Sequence, residues 1–149
     1  MIDTHAHLDH LDDIDGALKR AYEAGVKAVI AVGVDLAANK KNLEIRHRTR
    51  QPKIYVALGI HPANINPAEI DETIKFIRAN IKEAVAIGET GLDFHFKEGD
   101  KYYAPKDAQE KEFIRQLELA KKHDKPIILH SREAHPQCLK ILKKVIGKE

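Results

Sequence analysis

Val85-Ala86-Ile87-Gly88-Glu89 is a short apolar run that delivers a carboxylate beside a glycine, and Thr90-Gly91-Leu92 continues it. Side chains alternate along an extended chain, so Val85, Ile87 and Glu89 are expected on one face, with the acid at its end. Working outward in both directions, the same kind of run recurs at residues 2–8, 26–34, 54–61 and 126–131, giving five with residues 85–92. Each is rich in Val, Ile and Ala, and each precedes a longer segment with helical spacing. Continuous apolar character suits strands covered on both faces of a parallel sheet, with helices as the cover.

The helical segments carry their own signals. Ile14, Leu18, Ala21, Tyr22 and Gly25 follow one stripe in steps of three and four, and Gly25 ends that helix. Asn66 is placed to cap the third helix, Pro67 sits in its first turn, and Glu69 can reach back as in a capping box. Ile70, Ile74, Ile77 and Ile81 form its buried stripe. A fourth helix spans about residues 107–123 with Phe113, Ile114, Leu117 and Ala120 inward, and a fifth carries Leu139, Leu142, Val145 and Ile146. The fold class is therefore α/β, built of parallel (β/α) units. Such units begin either an open doubly wound sheet or a (β/α)8 TIM barrel. Polar residues at the carboxyl end of almost every strand favour the barrel, whose active sites are built there.

At 149 residues the chain is expected to be a single domain over residues 1–149, with no repeat or linker. Apolar residues at 43% and charged residues at 32% fit a globular chain and exclude the composition of a disordered one. Twenty-five basic against 23 acidic residues leave a net charge of +2, too small a field to announce a nucleic-acid or cationic partner. The longest apolar stretch, residues 28–34, is far short of the about 20 residues of a membrane span. Asp3, His5, His7 and Asp9 so near the start exclude a secretory opening, and Cys138 stands alone, so the expected location is the cytoplasm.

Nine histidines are many for this length, and several end strands. His5 and His7, two apart in the first run, are expected to project to one side, where a single Zn, Mn, Fe or Co ion can contact both. Glu89 closes the fourth run and can bridge two metals; His130 closes the fifth, with Ile128 and Arg132 on its face. Four candidate metal ligands, His5, His7, Glu89 and His130, thus come from three strand ends. His61, in Gly59-Ile60-His61-Pro62, ends the third run and is a candidate contact for substrate or bound water. Arg132 is either a fork-shaped phosphate binder or one member of a surface ion pair. Asp93 and Asp9 are either partners that orient histidines or turn residues. His10, His47, His95, His123 and His135 read as ordinary solvated side chains.

Four segments taken together add a family. Thr4-His5-Ala6-His7-Leu8-Asp9, Gly59-Ile60-His61-Pro62, Ile87-Gly88-Glu89-Thr90-Gly91-Leu92-Asp93 and His130-Ser131-Arg132-Glu133-Ala134, in this order, resemble the signatures of the TatD family of metal-dependent hydrolases. Gln109, Phe113, Gln116 and Leu117 fit the same resemblance. It implies a TIM-barrel metallohydrolase with deoxyribonuclease or other phosphoesterase activity. It also implies two divalent ions (Zn, Mg or Mn), with His5 and His7 on one, His130 on the other and Glu89 bridging. A DNA or phosphoester substrate follows.

A complete barrel takes about 250 residues and eight strands, so the chain is expected to be an incomplete barrel, truncated after about five units. The family's later histidine and metal-binding aspartate have no counterpart here, and no catalytic residue is assigned for that reason. Weak metal occupancy and low or absent activity are expected, together with a homo-oligomer or a separately encoded carboxyl-terminal half covering the open sheet. Two other readings stand beside the nuclease: an amidohydrolase-like hydrolase of a small molecule, and a non-catalytic metal-binding or split-protein fragment.

Overall fold

The structure is a computed structural model that describes residues 1–147; Lys148 and Glu149, the last two residues of the expected domain, lie outside the described residues. Five strands, β1 (Ile2–Ala6), β2 (Ala28–Val32), β3 (Lys53–Leu58), β4 (Ala84–Asp93) and β5 (Ile127–Arg132), form one sheet in the order of the chain. Every neighbouring pair is parallel. Between and after them run α1 (Ile14–Glu23), α2 (Leu36–Arg48), α3 (Ile70–Ala79), α4 (Lys106–Lys122) and α5 (His135–Val145). An open doubly wound sheet reverses its strand order at a switch point, whereas strands added always on the same side make the wall of a barrel. The unreversed order makes this sheet a half-barrel with its helices.

Coverage is uneven across the sheet. The inner strands meet the expectation of two covered faces: Ala31, Val32, Val56, Ala57, Leu58 and Ile87 are all fully buried. The outer strands do not. Ile2 in β1 is 62% exposed and Leu129 in β5 is 42% exposed, because each outer strand has a neighbour on one side only. The main core lies among β2, β3, β4 and helices α1 to α3, around Val29, Ile45, Ile54, Ile74 and Ile77. A smaller cluster of Leu92, Phe113, Leu117, Ala134, Cys138 and Ile141 joins β4 to α4 and α5. Among the described residues no helix is long and apolar enough to cross a membrane.

Two element boundaries differ from the sequence reading. β1 ends at Ala6, so His7 lies past the strand and begins a single 3₁₀ turn over Leu8–His10. α3 begins at Ile70, because a turn over residues 67–69 intervenes: Asn66 Oδ1 accepts from Ala68 N at 3.1 Å, and its carbonyl accepts from Glu69 N and Ile70 N. That turn puts Glu69 at the cap position, where its side chain makes no capping bond and cannot close a capping box. Asn66 caps the turn instead, and Ile81, though buried, lies beyond the helix end.

Buried amide side chains fix where the strands stop. Asn39 on α2 donates to Gly59 O at 2.9 Å and accepts from Gly59 N at 3.1 Å. Gln116 on α4 does the same for Ile60, accepting from its N at 2.8 Å and donating to its O at 3.1 Å. Gln109, seven residues earlier on the same helix, accepts from Asp93 N at 2.8 Å and donates to the carbonyls of Asp93 and Ala104, both at 2.9 Å. Each amide stands in for a neighbouring strand, satisfying backbone groups where the ladder ends. The segments that follow β3 and β4 are thereby held to the helices.

Candidate metal centre

His5 and His7 converge although only His5 lies in β1. Their Nε2 atoms are 3.3 Å apart. His7 Nδ1 faces the carbonyl of Val32 at 3.3 Å, a contact that puts the ring proton on Nδ1 and leaves the Nε2 lone pair free. Glu89 arrives from β4 by a bulge. Ile87 pairs with Ile127 and Thr90 with Leu129, so three steps on β4 match two on β5, and the simple alternation that grouped Glu89 with Val85 and Ile87 is interrupted. The crowding is tight: a Cβ on Gly91, where φ is +148°, would stand 1.9 Å from the carbonyl oxygen of His130. Only glycine fits that approach.

The two oxygens of Glu89 face different imidazoles. Oε2 is 3.2 Å from His5 Nε2 and 3.6 Å from His7 Nε2, while Oε1 is 3.1 Å from His130 Nδ1. The other ring nitrogen of His130 faces Asp93 Oδ2 at 3.0 Å. Asp93, buried and held in turn by His95 N at 3.0 Å, is therefore a partner that orients a histidine. Asp9 lies 3.3 Å from His10 and touches none of the four candidate ligands in its ion pairing. His61 packs edge-on against His130 with ring centroids 4.2 Å apart, and its Nδ1 accepts from Ala63 N at 3.0 Å. The structure thus brings His5, His7, Glu89, His130 and His61 to one place from β1, β4 and β5 and the segments after β1 and β3; Glu89 does not close its strand, because β4 continues to Asp93.

Charge follows from this packing. Burial, aided by the nearby His130, pushes the His61 imidazole down to about 4, so the ring is neutral at neutral pH. Since Nδ1 accepts from Ala63, the proton of the neutral ring sits on Nε2. Burial alone would raise Glu89, but the His130 hydrogen bond and the surrounding imidazoles hold it below the usual carboxylate range. Burial likewise opposes protonation of His130, and the carboxylates of Glu89 and Asp93 outweigh it and raise the ring above an ordinary histidine.

The donor set fits a divalent cation. Ligand atoms of a tetrahedral site with metal bonds of about 2.0–2.1 Å stand about 3.3 Å from one another. The His5, His7 and Glu89 atoms stand 3.3, 3.2 and 3.6 Å apart. Three imidazoles around one carboxylate suit Zn and its neighbours better than a hard, all-oxygen ion. His61, Glu89 and His130 also place one donor atom each within 4.8 Å of one another. The lone pair of His61 Nδ1 is engaged by Ala63, however, so this ring presents an N–H rather than a lone pair to the group.

His7, His61, Glu89, Asp93 and His130 line an open cavity of about 390 Å³. Phe96, Tyr102 and Arg132 also line it. Arg132 makes no ion pair among the described residues; its guanidinium carbon lies 5.6 Å over the Phe96 ring. Phe96 and Tyr102 were not apparent as site residues because the segment between β4 and α4 has no periodicity, and the one available signal was its aromatic content. Of the histidines read as solvated, His10 also borders the cavity and stacks on His7 at 5.5 Å between centroids.

Known proteins share this arrangement of chain. The family described as TatD related DNase matches residues 2–149. An uncharacterised metal-dependent hydrolase, YabD of Bacillus subtilis, is 38% identical over 148 residues, covering 96% of this chain and 55% of its own. The 3'-5' ssDNA/RNA exonuclease TatD of Salmonella typhimurium is 34% identical over 133 residues, covering 87% and 48%. The crystal structure of YjjV, a TatD homologue of Escherichia coli K12, superposes with a TM-score of 0.80 at 31% identity over 97% of this chain and 55% of that one. The chain spans about half the length of the curated relatives it matches. On the match over residues 2–149 and the shared fold, the chain belongs to the TatD-related DNase family.

Proposed function

We propose that this chain carries the amino-terminal part of a metal-dependent phosphodiesterase centre that acts on nucleic acid. The observation that carries the reading is the division of Glu89, with one oxygen toward His5 and His7 and the other toward His130. A carboxylate so divided would serve two cation positions, the first held by His5 and His7 and the second by His130 through Nδ1. Divalent ions held there supply Lewis-acid polarisation of a phosphoryl oxygen and lower the pKa of coordinated water.

The residues around them do the positioning. Asp93 keeps the Nε2 proton of His130 and so presents Nδ1. His61 points no lone pair at the centre and instead offers Nε2–H to a phosphoryl oxygen. Arg132, free of any carboxylate partner among the described residues, offers a planar fork to the same phosphate. Phosphate and sugar contacts of this kind confer little sequence preference. The nuclease named among the relatives supports nucleic acid as the substrate. We also read residues 1–149 as one domain, and the exposed outer strands as a surface for a second copy or for a polypeptide bringing further β/α units.

Metal binding and turnover test the reading separately. Calorimetric titration of the chain with Zn or Mn should show binding that His5→Ala and Glu89→Gln each weaken at least tenfold, by loss of a direct ligand. Cleavage of single-stranded DNA in the presence of Mn, abolished by Glu89→Gln, supports phosphodiester chemistry. Metal binding indifferent to both substitutions would remove its basis.

A further inference from the structure

Resting on the phosphodiesterase reading above, we propose that Phe96 and Tyr102 form a stacking platform for an unpaired nucleobase adjoining the metal centre. The two rings lie 5.6 Å apart at 55° and line the same cavity as His61, Glu89 and His130. Tyr102 is 45% exposed although it is large and aromatic, and Phe96 is partly exposed beside it. Exposed aromatic rings beside a phosphate-binding cation are the combination by which proteins hold single strands: the rings take the bases and the cations take the backbone. Here the cation is Arg132, 5.6 Å from the Phe96 ring and itself on the cavity wall. Lys101 Nζ lies 5.0 Å over Tyr102; a base stacking on that ring displaces it and frees its ammonium for a neighbouring phosphate.

The segment that carries the two rings is tied to its surroundings at several points. Gln109 ties both ends of the segment between β4 and α4, through the Asp93 backbone at one end and the Ala104 carbonyl at the other. His95 is pinned to Glu133 at 2.8 Å, and a turn closes between Lys97 N and Asp100 Oδ2 at 2.7 Å. The rings line the same cavity as the divided carboxylate, so a nucleotide whose phosphate sits at the centre can lay its base on them. A base in a duplex is already stacked and paired, so the platform selects single strands.

Fluorescence anisotropy with three labelled probes tests this: single-stranded oligothymidylate, an oligomer of equal length with abasic sites, and a duplex. The chain should bind oligothymidylate at least about tenfold more tightly than the abasic oligomer. Phe96→Ala and Tyr102→Ala should each lose about 5- to 100-fold of the oligothymidylate affinity and little of the abasic affinity, with Tyr102→Phe retaining both. Thermal melts of each variant report whether it folds. If the chain binds base-bearing and abasic oligomers alike, or if the folded alanine variants lose both equally or neither, the platform is overturned while the phosphodiesterase reading stands. If the chain binds none of the three probes, both fall together.

Discussion

Asp93 shows how much a single carboxylate decides at this site. Its Oδ1 accepts from His95 N and its Oδ2 faces His130 Nε2, each at 3.0 Å, so one side chain fixes a turn and a ring orientation at once. Asp93→Asn keeps the size and the turn acceptor but removes the negative charge behind the imidazole. Metal affinity measured by equilibrium dialysis should fall about 10- to 100-fold with an unchanged melting transition, the usual consequence of losing an orienting partner. His5, His7, Glu89 and His130 are legible in sequence because each lies in or just past the carboxyl-terminal half of an apolar run, and those halves meet at one edge of a parallel sheet, although β4 continues four residues beyond Glu89. The donor character of His61 is not legible, since it depends on Ala63 N–H occupying Nδ1. Nor is the division of Glu89, which needs the bulge at the β4–β5 pairing.

Between elements, α4 does more than cover the sheet. Gln116 is 1% exposed and satisfies both backbone groups of Ile60, the residue before His61. Gln116→Leu leaves that N–H and C=O buried without partners, which should cost about 2–4 kcal/mol in urea denaturation. A second link joins the last turn of α2 to the residue before β4. Glu83 is 2.6 Å from His47 and 2.5 Å from Arg46, and the His47 hydrogen bond holds its carboxyl below the usual range. A lowered carboxyl adds stability above its unfolded value, about 4.3, and loses that contribution as pH falls through the folded value. Glu83→Gln should therefore reduce the unfolding free energy from urea titration slightly at pH 7, by no more than about 1 kcal/mol for so exposed a group, and the difference should shrink as pH falls below the ordinary Glu range. The existence of α1, α3, α4 and α5 is legible from periodicity, whereas α2 buries Asn39 and Asn42 beside its apolar residues and carries no such stripe. The start of α3 is not, because Asn66 and Pro67 serve a turn as readily as a helix and only the backbone decides.

For the molecule as a whole, alternating strands and helices announce parallel β/α units, but the choice between open sheet and barrel wall depends on strand order, which no local pattern encodes. With the order fixed, the surface follows. Among the described residues β1 pairs only with β2 and β5 only with β4, so each presents an open edge. Apolar side chains on them are exposed: Ile2 by 62% and Leu129 by 42%. Unpaired backbone beside exposed apolar groups promotes association, since another chain can satisfy both. Sedimentation velocity should accordingly show a weight-average coefficient that rises with concentration through the micromolar range. Ile2→Lys with Leu129→Lys should lower it toward the monomer value, because a charge on an edge strand penalises pairing without entering the core. A concentration-independent monomer in the parent chain would show that the open edges are protected by the twist of the sheet alone.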